Sequence, residues 1–136
     1  MTGVPEPGSG PATWEAADPF ELPEWLGTEP FTWSPDGPLA ESCVRGTLAG
    51  CSGATMPLDL VCADAAYPVA TASPPVRHDA HQAWHFGQVL VVAAGGRAGV
   101  ALPASALDAD LACEALRRFA MAVGVPSGSV SIVLRL

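Results

Sequence analysis

The sequence contains no lysine and no asparagine, and only one isoleucine and one tyrosine. These are residues with AT-rich codons, so their scarcity beside abundant Ala, Gly, Pro and Val points to a high-GC bacterial genome. Positive charge is also missing where it would matter most. The first 41 residues hold eight acids and no Arg, so this segment carries the whole formal charge of -8, while residues 42–136 balance six acids with six Arg. A chain without a basic patch lacks the electrostatic term that dominates non-specific nucleic-acid binding. An acidic segment is likewise repelled by anionic lipid. Nucleic acid and membrane surface are therefore not expected as partners.

Long apolar runs are absent too. Val89 to Ala94 is the longest, far short of the roughly 18 residues a membrane span needs. There is no basic, then apolar, leader pattern at the start, so the expectation is a soluble cytoplasmic protein. The four cysteines, Cys43, Cys51, Cys62 and Cys113, contain no CxxC. In a reducing compartment they are read as structural thiols, small hydrophobes in effect, without metal or redox use.

At 136 residues the chain allows one domain. Eight of its fourteen prolines lie in the first 38 positions. Residues 1–18 have little to bury and are expected to form a disordered acidic Pro/Gly-rich tail. Residues 19–41 form an aromatic-acidic arm. Around and within it stand Trp14, Phe20, Leu22, Trp25, Leu26, Phe31 and Trp33 among the acids. Disordered tails seldom hold so many aromatics, so these seven are expected either to pack on the chain's own domain or to dock on another protein with a basic surface.

Residues 42–136 read as a single α+β domain. SCVRGTLA and MPLDLVCA flank the turn GCSGAT. As an antiparallel hairpin they put Val44, Gly46 and Leu48 on one face with Met56, Leu58, Leu60 and Cys62, with Cys43 turned away from Cys62. Gly95-Gly96 between QVLVVAA and RAGVALP is a two-residue hairpin signal. It sets Val91 against Val100 and leaves both faces apolar, as in a central strand covered on both sides. A helix is expected after Pro74-Pro75, from Val76 to Gly87, and another from Asp108 to Val123, capped by Asp108 and stopped by Gly124. SVSIVLRL closes the chain as a half-buried strand. The order β-β-α-β-β-α-β, preceded by the acidic Pro/Trp-rich arm, implies a mostly antiparallel sheet of about five strands with two helices.

All three histidines fall in RHDAHQAWH. Projected at about 100° per residue, Val76, Ala80, Ala83, Trp84 and Gly87 make an apolar stripe and His78, His81 and His85 line the opposite side. His81 and His85 have helical metal-site spacing, and an alternative function is a small metal-binding protein or enzyme using them, with His78 or Asp79 assisting. One ion cannot span His78 to His85, which lie about 10 Å apart along the axis. Nor is there a Glu between His81 and His85 as in HExxH. The prevailing expectation for the stripe is a solvated, pH-sensitive face without metal.

Other chemistry is poorly provided for. GCSGA has Ala54 where a nucleophile elbow needs glycine, and AAGGRAG leads into a strand, not the helix a phosphate cradle requires. Asp59 and Asp64 lie at the end of a strand with no partner legible, and Cys51 has no activating base. No catalytic residue and no cofactor is expected.

The run DLVCADAAYPV…RHDAHQAWHFGQVLVV…GGRAGVALP…ALRRFAMAVGV, with FELPEWLG upstream, resembles a group of small, functionally uncharacterised actinobacterial proteins. The AYP, AHQAW and GQVL segments carry the likeness, which spans roughly residues 20–136. It implies an actinobacterial source and supplies no activity and no functional residue. The expected function is a non-enzymatic interaction or regulatory module, working through the acidic aromatic arm or through a sheet face. Homodimerisation through the face bearing Leu90 and Val92 is compatible with it.

Overall fold

The computed structural model describes residues 13–39, 42–64, 70–126, 128 and 130–134. It is an α+β structure of one mixed sheet with a helix on each face. The strands are β1 (Glu15–Ala16), β2 (Phe31–Pro35), β3 (Cys43–Val44), β4 (Gly46–Gly50), β5 (Thr55–Cys62), β6 (Leu90–Ala94), β7 (Arg97–Leu102) and β8 (Ser131–Ile132), and the helices are α1 (Pro74–His85) and α2 (Ala109–Val123). The spatial order is β1-β6-β7-β5-β4-β2-β8, with β3 paired to β5 beside β4.

Both expected hairpins form in the expected register. Val44 lies opposite Leu60 and Leu48 opposite Met56, which puts Cys43 and Cys62 on opposite faces. Gly95 and Gly96 have φ of 58° and 78°, the left-handed pair a type I′ turn needs, and Val91 faces Val100 across it. Alternation then divides the core. Leu58, Leu60, Val91, Val100 and Leu102 pack under α2 with Leu116 and Phe119. Val61, Val92 and Ala101 pack on the other face with Val76 and Ala80 of α1.

The helices obey their end signals. Asp108 accepts the Leu111 amide at 2.8 Å, and Gly124 closes α2 with φ of 84°. α1 starts two residues earlier than the expected Val76 because Pro74 and Pro75 belong to its first turn, where the missing N–H groups would be unsatisfied in any case. It ends at His85, so that Gly87, exposed and with φ of 77°, lies beyond the helix instead of on its apolar stripe.

The expected sheet of about five mostly antiparallel strands needs correction. Eight strands are present among the described residues, and β5–β7 and β2–β8 are parallel. The first expected strand is split into β3 and β4, which keep one common register on β5. The other two additions come from the N-terminal segment. β2 pairs along its full length with β4, and β1 caps the opposite edge on β6. FTWSP alternates apolar and polar, with Phe31 and Trp33 inward and Thr32 and Ser34 less buried. That is a strand's period, inside a segment its acids and prolines mark as an arm. The boundary placed at residue 18 also shifts, since Trp14 is buried and Glu15–Ala16 is a strand. Residues 1–12 of the expected tail lie outside the described residues.

Candidate functional site

Among the described residues, the large apolar side chain most exposed to solvent is Phe20, at 93%. Its position follows from local chemistry. Asp18 accepts the Phe20 amide at 2.9 Å and Pro19 opens a short 3-10 turn, Pro19–Glu21. A second 3-10 turn, Glu24–Gly27, buries Leu26. With Leu26 and Leu22 drawn inward, Phe20 is left on the outside.

The two turns and the C-terminal end of α2 enclose a cleft of about 330 Å³, walled by Pro19, Phe20, Leu22 and Pro23 on one side and Ala122 and Val123 on the other. Asp18, Glu21 and Glu24 stand exposed on the same two turns. The last turn of α2 carries no basic side chain, and a helix C-terminus presents partial negative charge. The cleft is thus lined by apolar side chains and polar surface together, with acids on the turns that form one wall and no Arg in that wall's segment.

The other six aromatic-segment residues are engaged internally. Leu26, Phe31 and Trp33 are buried in the core under α2, with Leu22 and Trp25 partly buried against it, and Trp14 is buried in the cluster under α1. Trp33 lies flat over Gly46, where a Cβ would overlap the indole, and its Nε1 donates to the Leu58 carbonyl at 2.9 Å. Of the seven residues, the structure brings Phe20, Leu22 and Leu26 together at the cleft.

The histidine helix projects as the sequence suggests. His78, His81 and His85 are exposed, while Val76 and Ala80 are buried. Trp84 packs toward the α2 core, with the Arg118 guanidinium 3.8 Å from its ring centroid. Among the described residues, no three His, Cys, Asp or Glu side chains are grouped to hold a metal ion.

One polar cluster escapes the sequence reading. Asp59 is completely buried and takes Arg97 Nε on both carboxylate oxygens, at 3.0 and 3.1 Å, and Nη2 on Oδ1 at 2.6 Å. Arg97 Nη2 also donates to the Gly46 carbonyl at 3.0 Å, and Asp36 lies 3.6 Å away. The hydrogen bond to Asp59 chiefly holds the Arg97 pKa above its ordinary value. Asp59 therefore has a partner, contrary to expectation, because β7 lies parallel to β5 and sets residue 59 beside residue 99. The signal available in sequence was a lone Asp in an otherwise apolar strand, which demands a buried cation.

Cys43 lies next to this cluster. Burial chiefly, and then the Asp59 charge, push its thiol up to about 11, against smaller opposing effects of Arg45 and Arg97. Cys51 and Cys113 are exposed, and Cys62 donates to the Ala104 carbonyl at 2.6 Å. No helix among the described residues is long and apolar enough to cross a membrane.

No family model matches this chain, and neither a curated protein nor a solved structure matches it.

Proposed function

We propose that this chain is a non-catalytic protein-interaction module, which binds a partner through the Phe20 cleft. The observation that carries this reading is a large aromatic side chain, 93% exposed, on the wall of a cleft that apolar side chains line in part. Aromatic anchors that fill a pocket on a partner supply most of the binding energy at protein interfaces, and Phe20 is held out where it can serve as one. The acids of that wall select the partner. Asp18, Glu21 and Glu24, with the carbonyl end of α2, attract a segment that carries Arg or Lys beside an apolar residue. The setting is cytoplasmic, where the exposed Cys51 and Cys113 stay reduced.

The test compares capture by the wild-type chain with capture by Phe20→Ala and by the pair Glu21→Lys, Glu24→Lys. A partner bound through the cleft is lost in the first variant, by roughly thirtyfold for an anchor contributing about 2 kcal/mol. It is also lost in the charge variant and weakened by salt. Unchanged recovery in both variants, with unfolding curves matching wild type, would remove the reading.

A further inference from the structure

The outward face of α1 supports a second site, independent of the Phe20 cleft. His81 and His85 are both exposed and one helical turn apart, a spacing that brings their Cβ atoms to roughly 5–6 Å. Two imidazoles so placed can chelate one ion. The His85 ring is also steadied, resting edge-on against Phe86 with centroids 5.3 Å apart.

Imidazole is a preferred zinc ligand, and zinc in a closed site takes four ligands in a tetrahedron. The pair supplies two. Among the described residues nothing converges to supply even a third. We propose that His81 and His85 form a zinc half-site, completed by the same two residues of a second copy of this chain. A two-fold arrangement is self-complementary, since each copy contributes the pair it needs.

On α1 itself the formal charge of Asp79 is balanced by that of Arg77, and the two positive charges of the ion offset part of the repulsion between two acidic chains. Phe86, 72% exposed beside His85, gives that contact apolar area to cover.

The experiment is sedimentation velocity of the full chain with zinc chloride added and with EDTA, alongside calorimetric titration with zinc. The expected result is one zinc per two chains and a doubling of mass that EDTA reverses. His81→Gln and His85→Gln each abolish the doubling, while His78→Gln leaves it intact; all three sites are exposed, so each variant folds. One zinc per chain with unchanged mass, no zinc uptake, or a doubling that survives His81→Gln would each overturn the proposal, and loss of the doubling in His78→Gln would overturn its assignment to this pair.

Discussion

Arg97 closes on Asp59 with two of its guanidinium nitrogens, 2.6 to 3.1 Å from the carboxylate oxygens, and so ties β7 to β5 across the sheet. Asp59 has no solvent exposure and Arg97 retains a quarter of its own. Removing one member of a buried pair strands the other charge, at about 3–5 kcal/mol. Arg97→Ala is therefore expected to lower unfolding stability by about 3 kcal/mol in denaturant titration. Exchanging both residues together, Asp59→Leu with Arg97→Met, is expected to restore most of the loss, because the apolar pair leaves no charge unsolvated. A double variant no better than Arg97→Ala would show that the Gly46 carbonyl contact, not the carboxylate pair, is what matters.

Cys43 answers to the same carboxylate. Its thiol is raised from 9.0 to about 11, chiefly by burial and next by Asp59. A raised folded-state pKa means that the native state binds the proton more tightly than the unfolded chain does. The resulting stability is complete below pH 9 and is lost as pH climbs through 11, on the order of 2 kcal/mol in all. Cys43→Val is expected to flatten the decline in stability between pH 9 and 11. At pH 7.5 the same shift makes Cys43 slow toward iodoacetamide, which attacks thiolate. Mass spectrometry should find Cys51 and Cys113, both exposed, alkylated first.

These two sites mark where sequence reasoning ended. The hairpin registers, the capped α2 and the outward histidines were legible because each follows from local periodicity or from a single end signal. Asp59 and Arg97 are 38 positions apart, and meet only through the parallel pairing of β5 with β7. That pairing depends on where the chain returns after α1 and β6, which no local pattern states. Phe20 was legible as a member of an aromatic set. What distinguishes it from Phe31 is burial, decided by the turn that Asp18 and Pro19 impose.

Gly46 permits a close approach in the core. Trp33 covers it so nearly that a Cβ at this position would collide with the indole. Gly46→Ala must displace a side chain with no exposure and endanger its hydrogen bond to Leu58. Overpacking of this kind costs about 1–3 kcal/mol, and the buried N–H adds to the loss if it is left unpaired. The expected readouts are a lowered denaturation midpoint and a red-shifted tryptophan emission. If emission is unchanged, the sheet backbone has yielded and the indole has kept its place.

The N-terminal segment is expected to be indispensable to the fold, although its composition resembles that of a removable tail. Deleting residues 1–41 takes away β1 and β2 and with them the core side chains Leu26, Phe31 and Trp33, all essentially without exposure. Each such side chain contributes roughly 1.5–3 kcal/mol through burial, and a domain has only about 5–15 kcal/mol in total. Loss of β2 also bares the full β4 edge that it pairs, leaving unsatisfied backbone groups ready to associate. Residues 42–136 alone are therefore expected to aggregate or to unfold without a cooperative transition by circular dichroism, with full-length Trp33→Ala shifted in the same direction. Cooperative unfolding of the truncated chain near the full-length midpoint would show that β2 adds surface cover rather than core. Partner loss on that deletion cannot report on binding, which is why Phe20→Ala is the substitution that separates recognition from folding.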